Sequence, residues 1–234
     1  MIRPAALLFA LFSLLLASAA NADDRSYSVS SFERIRIEGP FDVRLQTGKA
    51  PSGRVVSDTR TLDLLDLHID GTTLVVRLNG KGWAEAPAAR SVAPVLTLTT
   101  LQLRSAVVNA GGRLTLAGAR APRVDLAVNG SGAIVASALD ADDVRATIIG
   151  TGTISVTGRA GQAQLLTNGS GRIAAEGLAA GDLVVRVDGT GETNARARYT
   201  ARVTTNGLGR VTVAGNPKCD VRALAGGPII CGKN

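Results

Sequence analysis

The sequence predicts an all-β protein that folds as a right-handed parallel β-helix with coils of about 20 residues. A glycine motif returns once per coil, apolar and polar residues alternate between its copies, and no segment after residue 23 combines helical periodicity with caps. Such a short repeat cannot bury its apolar face alone, so consecutive copies must stack. The motif occurs at Asn109–Gly112, Asn129–Gly132, Ile149–Gly152, Asn168–Gly171, Asp188–Gly191 and Asn206–Gly209.

The segments beside each motif alternate with a period of two. Val124, Leu126 and Val128 precede the second motif, and Ile134 and Ala136 follow it. Alternation of this kind places one set of side chains inside and the other outside. Each coil is therefore predicted as a strand, a tight glycine turn, a second strand and a looser turn, with equivalent positions stacked between coils.

Residues 23–234 are expected to form one elongated domain with three parts. Residues 32–108 are less regular and are predicted to form atypical N-terminal coils that cap the core. Residues 109–215 hold the regular glycine repeats, and residues 216–234 form a C-terminal cap.

The N-terminus has the features of a signal peptide. Met1–Arg3 is a short basic start, Ala5–Ala17 is apolar, and Ala20–Ala22 offers small residues for cleavage. Residues 1–22 are therefore predicted to be removed, leaving a mature chain that begins at Asp23. No later apolar stretch reaches spanning length, so we expect a periplasmic or secreted protein that is not integral to the membrane.

The two cysteines, Cys219 and Cys231, lie close together near the C-terminus. An even number of cysteines in an exported chain favours a disulfide, because an oxidising compartment preserves it. Its expected role is to fasten the last coil, which no further repeat covers. A redox or metal pair is the alternative, but the chain has no Cys-x-x-Cys and its only histidine is His68.

The formal net charge is +7, and it falls to +6 when Arg3 leaves with the signal peptide. A basic balance favours acidic partners such as lipopolysaccharide or anionic glycans. The arginines are spread along the chain and aromatics make up only 3% of it. Nucleic-acid binding usually requires clustered basic residues with stacking aromatics, so no nucleic-acid partner is expected.

The sequence also resembles a known family. Phe32–Val43 looks like the start of the head GIN domain of putative auto-transporter adhesins, and Gly71–Val76, the Gly-Ser-Gly repeats and the tail ending Cys231–Gly232 follow in the family's order. The resemblance covers residues 32 to 232. It implies a right-handed β-helical, exported bacterial protein, and it offers no catalytic residues to carry over.

Two rows of polar residues accompany the glycine motifs. The first residues of the motifs form a row that Ile149 interrupts; we expect a structural turn ladder, since Asn and Asp tolerate left-handed backbone and stacked amides bond to each other. A polar groove for sugars is the alternative. The ladder consists of Asn109, Asn129, Asn168, Asp188 and Asn206. The next row is predicted to be exposed and is the candidate ligand face: Ser131, Thr151, Ser170 and Thr190.

Two single residues could also have a function. Trp83 lies in a glycine-rich loop, where it could stack on a sugar or cover the open end of the core. His68 lies beside Asp66 and Asp70 in an alternating strand, but without a second histidine or a cysteine it makes a poor metal site.

An enzyme is the main alternative, because polysaccharide lyases and hydrolases often use β-helices. Such a site needs carboxylates gathered on one face, with a basic residue nearby. Calcium-binding nonapeptide repeats need an aspartate two residues after the second glycine, where this chain has apolar residues, so they are excluded. A phosphate-binding loop is excluded because no motif leads into a helix. The candidate carboxylates are Asp125, Asp140, Asp142, Asp143 and Asp182.

The sequence thus favours a non-enzymatic, exported β-helix of the cell envelope that serves as an adhesion-like or interaction scaffold. Envelope or host glycans and periplasmic proteins are the expected partners. No cofactor and no metal are expected. A carbohydrate-active enzyme on the same fold remains the alternative function.

Overall fold

The computed structural model describes residues 23–79 and 93–232, which form a β-solenoid of about six turns with coils of about 20 residues. The strands all join one 16-stranded sheet system. The strands are β1 Asp23–Tyr27, β2 Arg34–Glu38, β3 Asp42–Thr47, β4 Ser52–Ser57, β5 Leu65–Asp70, β6 Thr73–Leu78, β7 Val95–Thr100, β8 Ser105–Asn109, β9 Arg113–Gly130, β10 Ala133–Gly150, β11 Thr153–Gly169, β12 Arg172–Gly189, β13 Glu192–Thr205, β14 Val211–Gly215, β15 Lys218–Ala223 and β16 Ile229–Cys231. A single helix, α1 at Thr59–Leu64, lies within the described ranges.

Strands β9 to β13 are the regular coils, and each pairs in parallel with its neighbours. The looser turn expected in each coil is absent here, because β9 to β12 run for 17 or 18 residues and turn the corner inside one continuous strand. The bend comes from single residues with positive φ: 67° at Gly118, 54° at Ala138 and 134° at Gly158. Cross-coil hydrogen bonding therefore continues around most of each corner.

The core consists of stacked apolar rows, as the period-two pattern predicts. One row joins residues that register with each other on successive coils, and every member is 2% exposed or less. Burial of such rows is the main favourable contribution to the fold, at roughly 25 cal/mol per Å² of apolar surface. The row contains Ala106, Leu126, Ala146, Leu165, Val185 and Val203.

In the four motifs from Asn129 to Gly191 the two glycines have different roles. The first, Gly150 for example, has a φ of 118°, where a side chain would be strained. The second lies against the coil below: a Cβ on Gly171 would be 2.6 Å from Ile148 Cγ2 and 2.7 Å from the carbonyl oxygen of Gly152. The motif thus combines a turn requirement with a packing requirement.

The N-terminal end differs from the repeats. Strands β2 and β3 join the parallel stack below β8 and β9, and β6 and β7 lie one level further out. Strands β4 and β5 then pair antiparallel with β7 and β6, and β1 pairs antiparallel with β4. This layer covers the core at that end.

Helix α1 belongs to the same layer, and it corrects the expectation that the chain has no helix. Asp58 is its N-cap, and its carboxylate accepts a hydrogen bond from the Thr61 backbone N–H at 3.0 Å. Leu62 faces the core and is buried. The helix is only 6 residues long, too short to show a sequence periodicity.

The C-terminal segment continues the coil. Strand β15 stacks on β13 and β16 on β14, both in parallel. The predicted disulfide is confirmed: Cys219 and Cys231 are bonded, with a Cα–Cα distance of 6.3 Å, and the bond fastens β15 to β16. Gly227 stacks on Gly209, since a Cβ on Gly227 would lie 2.6 Å from the Gly209 carbonyl oxygen. Ala225–Gly227 is therefore a further copy of the glycine turn.

Candidate functional site

The predicted hydroxyl row is exposed along one edge of the solenoid. Ser131, Thr151, Ser170 and Thr190 each follow the first glycine of a motif, and all four are exposed. Their backbone N–H groups donate to carbonyls of the coil below, for example from Thr151 to Gly130 at 3.0 Å. The edge is thus held rigidly by backbone bonds while the hydroxyls face solvent at a repeat of about 4.8 Å.

The predicted Asn ladder lies beside the hydroxyl row, and its amides bond between coils. Asn129 donates to the Asn109 side-chain oxygen at 2.9 Å, and Asn206 donates to Asp188. Ile149, which is 53% exposed, lies between Asn129 and Asn168 and interrupts the row. These side-chain bonds join neighbouring coils, as a turn ladder would.

A second polar surface lies at the corner where β10 to β13 bend. We call it the corner depression: a hollow of about 300 Å³ whose walls include Asp140, Arg159, Asp182, Arg198 and Tyr199. Ala160, Gly161 and Gly181 contribute the small residues beneath it. Next to it lies a further hollow of about 390 Å³ that shares Asp140 and Ala141 and extends to Arg120 and Gln102.

Tyr199 is the distinctive side chain of the corner depression. It is 65% exposed. Gly181 leaves room beside its ring, since a Cβ on Gly181 would lie 3.5 Å from Tyr199 Cδ2. The ring is thus largely open to solvent and lies beside a residue without a side chain, and a flat apolar surface of a ligand can stack on such a ring.

Charge in the corner depression is arranged around Asp140. Its carboxylate accepts from Arg120 at 2.7 Å on one neighbouring coil and from Arg159 at 3.1 Å on the other. The hydrogen bond from Arg120 and the two positive charges hold the pKa of Asp140 below its usual range. Arg198, on the same wall, forms no ion pair with any residue that the structure describes. It therefore leaves a positive charge available beside Tyr199.

Three of the candidate catalytic carboxylates are engaged by neighbouring side chains, and Asp140 is one of them. Asp143 is held by Arg123 at 3.2 Å, and Asp182 accepts from the Thr200 hydroxyl at 2.6 Å. A general acid needs a carboxyl whose pKa is raised, whereas the pKa of Asp140 is lowered. One carboxylate oxygen of Asp125, on β9, is buried without a hydrogen-bond partner among the described residues.

The remaining candidates give no further site. His68 Nδ1 lies 3.1 Å from Asp66, which also accepts from Arg77 at 2.8 Å. The Arg77 hydrogen bond lowers the pKa of Asp66, so this group is an ion-pair network on β5 and β6. Across residues 23–79 and 93–232 no three His, Cys, Asp or Glu side chains are grouped to hold a metal. Trp83 lies outside the described residues.

Sequence reasoning missed Arg198 and Tyr199 because the coil that carries them is irregular. Strand β13 is 14 residues long, while β12 is 18, and the register between them shifts near Ala180. Between the pairs Ala180–Ala197 and Asp182–Thr200, strand β13 has two residues, Arg198 and Tyr199, opposite the single Gly181 of β12, and this extra residue lies at the corner. The available signal was a lone tyrosine at the one repeat whose spacing drops to about 18 residues.

The family model of the putative auto-transporter adhesin, head GIN domain, matches residues 31–217. The chain belongs to this family. The match spans both the N-terminal coils and the glycine repeats, which confirms the resemblance identified from the sequence. No curated protein matches the sequence.

Solved structures of similar fold include proteins from Bacteroides and Parabacteroides. A putative adhesin from Bacteroides fragilis is 17% identical, with a TM-score of 0.81 and coverage of 92% of this chain and 98% of that one. A putative adhesin from Parabacteroides distasonis is 19% identical, with a TM-score of 0.70 and coverage of 90% and 96%. A putative lipid binding protein from the same species is also 19% identical, with a TM-score of 0.70 and coverage of 92% and 97%. At these identities the comparison establishes the shared solenoid fold.

Within residues 23–79 and 93–232, no helix has the length and apolar character needed to cross a membrane.

Proposed function

We propose that this protein is an exported, non-enzymatic scaffold of the cell envelope that binds an acidic glycan in the corner depression. Membership of an adhesin-like family, the signal sequence at residues 1–22 and the Cys219–Cys231 disulfide support export and an adhesion-like role. The mature chain would begin at Asp23 and act in the periplasm or outside the cell.

One observation carries the proposal: the exposed ring of Tyr199 lies beside an arginine, Arg198, that has no ion-pair partner among the described residues. The apolar face of a sugar ring stacks on aromatic side chains, and a carboxylate, sulfate or phosphate substituent pairs with a guanidinium. The depression, at about 300 Å³, has room for about one sugar unit. An acidic saccharide therefore fits both the shape and the charge of this surface.

The chemistry of the depression favours binding over turnover. Asp140 is neutralised by two arginines, and Asp182 is hydrogen-bonded to Thr200. The pKa of Asp140 is lowered by these arginines, whereas a general acid needs a carboxyl whose pKa is raised. These contacts support the non-enzymatic proposal.

The test is a glycan array probed with residues 23–234 at physiological salt, including lipopolysaccharide, peptidoglycan fragments and uronic-acid oligosaccharides. Salt should weaken the ion pair with Arg198 but not the ring stacking, so binding should persist at reduced strength, and it should fall further when Tyr199→Ala or Arg198→Ala is introduced. Arg196→Ala, an exposed arginine on the same strand, is the matched control and should bind normally.

The same array tests the hydroxyl row. A triple variant of Ser131→Ala, Thr151→Ala and Ser170→Ala should bind as well as the wild type if the corner depression is the site. Loss of binding in the triple variant alone would move the site to the hydroxyl row. Absence of glycan binding would contradict the proposal and direct the search to periplasmic proteins.

A further inference from the structure

The core of the solenoid is open at its C-terminal end. Val221 registers with Val203 and continues the apolar row described above. Val203 is fully buried, but Val221 is 43% exposed, because no coil among the described residues covers it. Ala223 and the adjacent Leu224 are exposed too, and Leu224 is 79% accessible. At the N-terminal end, by contrast, β1, β4, β5 and α1 cover the core.

Strand β15 is an edge strand at the same end of the solenoid. Among the described residues β15 pairs only with β13, on one side. Its other side presents unpaired N–H and C=O groups along Lys218–Ala223. An uncovered edge strand beside exposed apolar side chains is a template for another strand, and natural proteins usually cover or block such edges.

The sequence of β15 is complementary to itself in the antiparallel direction. If two copies of the strand pair about a two-fold axis at Val221, then Val221 lies opposite Val221, and Cys219 lies opposite Ala223. In the same register Asp220 lies opposite Arg222 twice, once on each side of the axis. In this register, side chains that point into the core lie opposite others that point into the core, and each outward charge lies opposite a charge of the other sign. A shift of the pairing by one residue would remove both matches.

The charge arrangement has a precedent within this molecule. Asp140 lies between Arg120 and Arg159 on the two adjacent coils. Asp220 has an arginine on one side only, Arg202 at 3.2 Å. Arg222 forms no ion pair within the part of the chain that the structure describes, so a second copy would supply it to the open side of Asp220.

We infer that the protein forms a two-fold symmetric dimer in which the β15 strands of two copies pair antiparallel and join the two solenoids end to end. The contact is isologous and closes at two subunits, so it does not propagate into fibres. The inference is independent of the glycan proposal, because dimerisation is measured without ligand.

Sedimentation velocity of residues 23–234 over a wide concentration range tests the dimer. The wild type should shift from monomer to dimer as concentration rises. Arg222→Asp places carboxylates opposite each other at both ends of the pairing and should weaken the dimer by roughly tenfold or more. Lys49→Asp, which makes the same charge change in an exposed turn after β3, should leave it unchanged.

A cysteine cross-link tests the register. Val221→Cys should give a covalent dimer under a mild oxidant, with a 221–221 linkage in peptide maps and the Cys219–Cys231 bond intact. Asp220→Cys, opposite Arg222, should cross-link far more slowly. A wild type that stays monomeric at all concentrations would overturn the inference, as would a dimer equally stable in Arg222→Asp or equal cross-linking of both cysteine variants.

Discussion

Gly171→Ala tests how tightly the coils are stacked. Gly171 is the second glycine of its motif, and an added Cβ would lie 2.6 Å from Ile148 Cγ2 and 2.7 Å from the backbone oxygen of Gly152. Side-chain rotation cannot relieve the second contact, because it involves backbone. The coils must therefore separate locally, and overpacking of this kind costs about 1–3 kcal/mol.

The matched control is Gly111→Ala, in the first motif. A Cβ on Gly111 would find its nearest heavy atom, Ser131 Oγ, 3.8 Å away, and Gly111 has no positive φ. The substitution should change stability by less than about 1 kcal/mol, on the stabilising side, since alanine restricts the unfolded chain.

Urea unfolding followed by circular dichroism measures both variants. The midpoint should fall for Gly171→Ala and should hold or rise for Gly111→Ala. Equal midpoints for the two variants would refute the close stacking of successive glycine turns, because the same chemical change would then have the same effect at a crowded and an open position.

Three further results are expected. Replacing Cys219 and Cys231 together by serine should lower stability by about 3 kcal/mol in the chain-entropy model, seen as a lower thermal midpoint that a reductant no longer changes. Because the pKa of Asp140 is lowered in the folded state, its stabilising contribution is complete above the ordinary carboxyl pKa near 3.8 and is lost as pH falls through the lower folded value. Asp140→Asn should therefore reduce the dependence of unfolding free energy on pH below about 4 and leave the slope near neutral pH unchanged. Thr205→Val removes a buried hydroxyl that has no hydrogen-bond partner among the described residues and should stabilise by up to about 1 kcal/mol. Thr100→Val removes a buried hydroxyl bonded to the Phe32 carbonyl at 2.6 Å and should destabilise by about 1 kcal/mol in the same urea assay.

The repeat made most of the fold predictable. A side chain at one position of a parallel solenoid has the same surroundings as its copy one coil away, so the apolar rows through Leu126 and Ile134 could be placed from spacing alone. The glycine turns and the disulfide could be placed for similar local reasons. The corner inside β10 could not, because the bend depends on Ala138, a residue type that rarely takes a positive φ.

The candidate site was less predictable, because it depends on differences between coils. The pairing of Asp140 with Arg120 and Arg159 follows from spacings of 20 and 19 residues, and these were within reach of sequence reasoning. The position of Tyr199 was not, since it depends on the shortened β13 and on the register shift beside it. Antiparallel pairing at the N-terminal end also has no repeat to reveal it.

The most direct test of the proposed binding site uses the tyrosine rings. The chain has two tyrosines, and Tyr27 lies on β1, in the N-terminal layer, away from the corner depression. With ring-labelled tyrosine, titration of an acidic oligosaccharide followed by NMR should shift the Tyr199 signal to saturation and leave the Tyr27 signal in place. A Tyr199 signal that does not move while the oligosaccharide binds, or equal movement of both signals, would contradict recognition at the corner depression.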